Sequence, residues 1–173
     1  MNQYDEIFER LKNVIDIYVC SLDRYSMEQL RFKESEDRWS LGQMYVHVIY
    51  AALDVYFPAI LDCIHRPAEK AILKTDAGEE IFQLGKYPIR KVKTTHIPIN
   101  PDDKQSLYNG LQNILKQAKD LLPMIVTSVS DAKVTHPRLG ALNVREWFEL
   151  TEMHMRHHLH QKKELEDNLY GPH

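Results

Sequence analysis

Apolar residues recur every three or four positions through four long segments of this chain. That period confines most of the backbone to helices that bury one face each. The first segment spans residues 4–30, with Ile7, Leu11, Val14, Ile15, Tyr18 and Val19 on one side. In the second, Leu41, Met44, Val48, Ala52, Val55 and Ala59 form a stripe that reaches Ile64. Ser40 and Gln43 stand ahead of it at capping-box spacing, while Pro58 inside it predicts a kink or an early end. The third is expected to open at Asn100-Pro101-Asp102-Asp103, with Asn100 as cap and Pro101 in the first turn. It continues through Leu107, Leu111, Ile114, Leu115, Ala118, Leu121 and Leu122. The fourth opens at Asn143, with Glu146 three residues on, and is expected to stop near Gly171-Pro172. Trp147, Leu150, His154, His158, Gln161 and Leu165 lie along one side of it.

Two long connections separate these segments. Residues 66–99 hold Pro67, Gly78, Gly85, Pro88 and Pro98, with a short helical stretch predicted over 68–73. Within them, residues 87–93 read either as an extended arm or as a solvated loop. Residues 128–142 contain His136-Pro137-Arg138-Leu139-Gly140. Four long helices with two crossovers describe an all-α four-helix bundle. A chain of 173 residues fits one such domain, residues 1–173.

Charge and cysteine usage narrow the function classes. The net charge of −3 is spread along the chain with mixed signs, so no basic patch invites a nucleic acid. The first residues, Met1 to Glu6, are acidic and lack the apolar core of a signal peptide. Asp and His interrupt the longest apolar stretches, which argues against a membrane span. Cys20 and Cys63 are far apart and sit in helix-patterned segments, so both are expected as buried, reduced thiols in a cytoplasmic protein.

The histidines are the unusual feature. There are nine, and four crowd into His154-Met155-Arg156-His157-His158-Leu159-His160. Residues four apart stack on one helical face, so His154 and His158 point the same way, toward the interior marked by Trp147 and Leu165. His157 lies at the edge of that stripe and His160 faces solvent. Two inward imidazoles one turn apart either begin a metal site or hydrogen-bond within the core. His47 flanks the apolar stripe of its own helix, beside Met44 and Ala51. It reads either as a ligand reaching sideways or as a half-exposed surface residue.

Three short motifs carry a family resemblance. Trp39-Ser40-Leu41-Gly42-Gln43-Met44-Tyr45-Val46-His47 resembles the Trp-Ser/Thr…His opening of the second helix in the DinB superfamily, including its YfiT-like branch. His154 to Gln161 resembles that family's His-x-x-x-His-x-x-Gln stretch, and His136-Pro137-Arg138-Leu139-Gly140 its His-Pro-x-x-Gly lead-in. The resemblance implies a DinB-type bundle with a divalent metal ion, zinc or nickel, on His47, His154 and His158. Gln161 matches the family's glutamine, and its role is left open. Residues 66–99 fall outside the resemblance.

The resemblance also implies an activity, either metal-dependent hydrolysis or thiol transfer. A closed structural zinc site needs a fourth protein ligand, often cysteine, and neither Cys20 nor Cys63 has suitable spacing. An open tri-imidazole ion would activate water, or a low-molecular-weight thiol that then attacks a small-molecule electrophile. Catalytic residues stay unassigned. His157, Glu152 or Asp54 are candidates to orient the nucleophile, although both carboxylates also read as solvated surface groups. The alternative is a non-catalytic, metal-braced bundle that binds a small molecule or a partner protein. A homodimer is a further expectation. The apolar side of the first helix, with Tyr4, Ile7, Phe8 and Leu11, is then core or dimer contact. Tyr25, Tyr50, Tyr56 and Tyr108 line a pocket or simply pack.

Overall fold

A computed structural model describes residues 2–67, 73–88 and 97–170. Asn2 and Asp5 open helix α1 (Gln3–Leu22) with a reciprocal cap, each side chain accepting the other's backbone N–H at 2.9–3.0 Å. The helix stops well short of the expected residue 30. Ser26 and Gln29 form a second capping box that starts the short helix α2 (Met27–Arg31), so local side-chain bonds to the backbone override the periodic pattern. Ile7 and Leu11 on α1 are buried in the bundle, whereas Tyr4 and Phe8 are partly buried against it. Cys20 corrects the expectation of a buried thiol. It is exposed, because it lies two residues, or roughly 200°, from the core-facing Tyr18. Cys63 is buried as expected, and both cysteines are unpaired.

The second segment forms one continuous helical run. Helix α3 (Leu41–Tyr50) passes into a π-helical turn, Ala51–Tyr56, and on into helix α4 (Phe57–His65). Pro58 neither ends the run nor cuts it short. The wider turn just ahead of it accommodates a ring that has no N–H and would crowd the carbonyl four residues back. The extra residue also shifts the phase of the helix. Tyr56 is buried at 5% exposure, while Val55, expected on the inner stripe, is only partly buried. By length and composition Leu41–His65 passes the test for a membrane span, with half of its apolar window buried. In this fold it is a core helix of the bundle, packed on the last helix.

The first long connection carries an unexpected helix, α5 (Asp76–Leu84), capped by Thr75 and closed by Gly85 in the left-handed region at φ 60°. Of the readings made for this connection, 68–72 and 89–93 lie outside the described residues, as does the Gly171-Pro172 stop. Helix α6 (Lys104–Thr127) is capped by Asp103 rather than by Asn100. Asn100 instead accepts the Ser40 hydroxyl at 2.6 Å, and Gln43 donates to the Pro98 carbonyl at 2.6 Å. The residues before α6 therefore staple the start of α3.

Two short antiparallel strands, β1 (Lys133–His136) and β2 (Gly140–Asn143), precede the last helix, with His136 paired to Gly140. Four residues per strand are too few to show a period of two against the helical background. Asn143 and Glu146 then exchange backbone bonds at 2.9 Å and launch helix α7 (Val144–Tyr170), as the capping pattern predicts. Helix α1 packs on α6 and α7, and the α3–α4 run packs on α7 and α6. These four long elements enclose the core in an all-α four-helix bundle.

Candidate metal centre

The site lies between the middle of α3 and the middle of α7. His154 is buried, and His47 and His158 are partly buried at its rim. Their Nε2 atoms converge, with His154 Nε2 3.2 Å from His47 Nε2 and 3.1 Å from His158 Nε2. One ligand atom from each residue lies within 4.8 Å of the other two. Trp39 backs the His47 ring at 5.0 Å between centroids, so the residue that precedes the Ser40 cap also braces the imidazole. His158 Nδ1 is 2.7 Å from Gln161 Oε1, one turn along α7. With Gln161 Oε1 as the facing atom, His158 Nδ1 is the nitrogen that would donate, which would leave the Nε2 lone pair turned toward its neighbours.

This tautomer makes the cluster awkward without a cation. If His154 also offers a lone pair, two lone pairs face each other at 3.1 Å. If His154 Nε2 carries a proton, that proton cannot point straight at both neighbours. Burial is the main reason that His154 is held well below the ordinary histidine range, and the neighbouring His158 and His47 add to it. Burial likewise pushes His158 down to about 3. Both rings therefore stay neutral, which is the state that ligates a metal. Zinc–nitrogen bonds of about 2.0–2.1 Å at tetrahedral angles separate two nitrogens by roughly 3.3 Å, so the observed spacing fits a divalent ion.

The surroundings were only partly legible in the sequence. Asp54 is exposed and is the solvated carboxylate that its bland reading described. Glu152 is neither solvated nor at the histidine cluster. It is 1% exposed and takes a two-point bond from Arg156 at 2.7 and 3.2 Å, with Arg10 3.9 Å away. His157 is half-buried at the margin, its ring 5.4 Å from those of Tyr87 and His158, and His160 is exposed as expected. Of the four tyrosines considered, Tyr56 joins the site, edge-on to His154 at 5.5 Å between centroids. Tyr25 instead bonds Glu166 at the other end of the bundle.

Three neighbours escaped the sequence reading as site residues. Tyr87, from the crossover after α5, lies 6.0 Å from the His154 ring. His136 packs 5.5 Å from Trp147 and accepts the backbone N–H groups of Arg138 and Leu139 on Nδ1 at 3.1 and 3.2 Å. Burial, reinforced by the Arg138 charge, lowers its pKa to about 4. Arg138 also bears on the buried hydroxyls of Tyr56 and Tyr87, both raised above the ordinary tyrosine range chiefly by burial. Only the His-Pro-x-x-Gly motif pointed toward any of these residues.

Comparison with known proteins agrees with this architecture. YfiT from Bacillus subtilis, described as a probable metal-dependent hydrolase with an unusual four-helix bundle topology, superposes with a TM-score of 0.63. At 16% identity it covers 98% of this chain and 90% of its own, and it establishes the shared fold. No curated protein matches the chain. The sequence model of the DinB superfamily matches residues 10–161, which include all three histidines of the cluster and Gln161. This chain belongs to the DinB superfamily.

Proposed function

We propose that the protein is a metal-dependent enzyme in which His47, His154 and His158 hold a divalent ion, zinc or nickel. The observation that carries this reading is the convergence of three Nε2 atoms, with Gln161 Oε1 2.7 Å from His158 Nδ1. Such an ion would supply a Lewis acid that makes water or a thiol nucleophilic near neutral pH. Among the described residues no cysteine or carboxylate joins the cluster, which favours a site open to substrate over a closed structural one. Cys63 is occupied elsewhere, its thiol donating to the Leu142 carbonyl at 3.5 Å.

The chain's own groups have definite tasks in this reading. Gln161 orients one ligand, and burial keeps His154 and His158 unprotonated. Tyr56 and Tyr87 keep their phenolic protons and share a hydrogen bond between their hydroxyls beside the centre. The substrate is a small molecule in the cytoplasm, either a hydrolysable compound or an electrophile that accepts a low-molecular-weight thiol. YfiT's description favours hydrolysis.

Metal content by elemental analysis tests the reading. Wild-type protein should carry about one equivalent of zinc or nickel, and a His47→Ala variant should lose it. Loaded protein then goes into parallel screens for hydrolysis and thiol transfer. A wild type that takes up no metal after reconstitution would refute the proposal.

A further inference from the structure

Glu152 is buried two residues before His154, and Arg156 stands two residues after it. The Glu152 carboxylate accepts Arg156 at 2.7 and 3.2 Å, with the Arg10 guanidinium 3.9 Å away. A buried ion pair adds little stability by itself, so what it holds in place matters more. Arg156 Nη2 also donates to the Gly85 carbonyl at 2.8 Å, which pins the residue that closes α5 to the middle of α7. Gly85 and Lys86 both donate their N–H groups to the carbonyl of Ile81, a core residue. Pro88 then biases Tyr87 toward extended backbone. Three separate restraints therefore set the path of residues 85–88.

That path crosses α7 at the histidine centre. Arg156 and His157 are turned roughly 100° from one another around the helix, and His154 lies roughly 60° further. Gly85 sits against Arg156, while the Tyr87 ring reaches His157 at 5.4 Å and His154 at 6.0 Å between centroids. The chain thus wraps from the Arg156 side of α7 to the His154 side within two residues of Gly85. Tyr87 is half-buried, so part of it stays reachable from solvent. Other rings touch the histidines as well. Trp39 lies 5.0 Å from His47, and Tyr56 lies 5.5 Å from His154. A rim of rings offers flat apolar surface, which takes a planar group by offset or edge-on packing.

We propose that Tyr87 is a specificity-determining residue of the centre, held over it by the Gly85–Arg156–Glu152 clip, and that the substrate carries a flat aromatic or conjugated group that packs on the Tyr87 ring. This rests on the metal reading above and adds the chemical class of the substrate. Arg156 and Glu152 are positioning residues, acting only through the path of the chain that carries Tyr87.

The test uses full-length protein loaded with zinc, titrated calorimetrically with acetohydroxamate and benzohydroxamate. Both present the same metal-binding head, and only the second carries a ring. The readout is the ratio of the two affinities, which a general loss of folding or of zinc does not mimic. Wild type should favour benzohydroxamate about fivefold more than Tyr87→Ala does, the size expected of one aromatic pair. Tyr87→Phe should keep that preference, because the ring remains and only the hydroxyl is lost. Arg156→Lys keeps a charge beside Glu152 but has no planar fork to bridge Glu152 and Gly85. Its preference should fall to that of Tyr87→Ala, with zinc content and acetohydroxamate affinity unchanged. Adding Tyr87→Ala to Arg156→Lys should then leave the ratio where it is. Equal ratios in wild type and Tyr87→Ala overturn the packing contact while the metal site stands. A full preference in Arg156→Lys overturns the clip. Failure of wild type to take up zinc overturns the metal reading and this inference together.

Discussion

Gln161→Leu probes the logic of the centre most directly, because it leaves all three candidate ligands in place. Gln161 Oε1 lies 2.7 Å from His158 Nδ1, and in the proposed site donation from that nitrogen would hold the ring's orientation and leave Nε2 for a metal. Leucine fills similar space but accepts nothing. The ring then samples both tautomers, and its Nδ1–H turns to water, which reaches this half-buried position. Removing such a supporting partner from a metal-ligating histidine costs about 10–100-fold in affinity. Because water can partly substitute here, we expect the lower end, about tenfold or ~1.4 kcal/mol. Competition against a chromophoric zinc chelator at pH 7.5 would read this directly, with His160→Ala as an exposed control that should not change. Long-range nitrogen–proton NMR of the metal-free protein supplies a second readout, since His158 should lose its uniform Nδ1–H signature. Zinc affinity within twofold of wild type, with the tautomer unchanged, would show that Gln161 does not orient the ligand.

Three further outcomes follow from the same geometry. His158→Ala should abolish stoichiometric metal binding while far-ultraviolet circular dichroism retains most of the helix signal; full binding in that variant would remove His158 from the site. Gly78→Ala should destabilise the protein by about 1–3 kcal/mol in urea, because a Cβ there would sit 2.2 Å from the Leu139 oxygen, which the Thr75 N–H holds at 2.9 Å. A loss below about 0.5 kcal/mol would mean that the turn between β1 and β2 yields easily. Metal-free protein should lose stability as pH falls from about 6.5 toward 4. His136, pushed down to about 4 by burial, stays neutral when folded in that window but takes up a proton when unfolded. Its contribution is complete above about 6.5 and amounts to roughly 3 kcal/mol at most. A urea midpoint flat between pH 7.5 and 5 would contradict this.

Local signals in the sequence held where a reciprocal side-chain cap closed on itself, and failed at Asn100, whose side chain accepts the Ser40 hydroxyl while Asp103 caps α6. Ser40–Gln43 and Asn143–Glu146 mark helix starts because each cap is completed within four residues. The spacing of His154 and His158 put two imidazoles on one face because helical geometry alone dictates it. The family resemblance added His47, which periodicity left ambiguous between a flanking ligand and a surface residue. Where two local signals competed, the period misled: the Ser26 box interrupts a stripe that otherwise runs on to residue 30. The π-helical turn before Pro58 moved Tyr56 into the core for a similar reason, since one extra residue in a turn shifts the phase beyond it, although Ala59 keeps its place in the core.

The sequence by itself therefore determined the helical class, the main caps and the pair of histidines on α7. Only the tertiary structure brought His47 across to that pair and set the Tyr56 ring edge-on to His154. It also carried Tyr87 in from a crossover with no periodic signature. The division has a physical cause. Periodicity and capping are contacts within a few residues of chain, whereas the histidine cluster joins residues up to 111 positions apart, from His47 to His158. Their meeting depends on how whole helices pack.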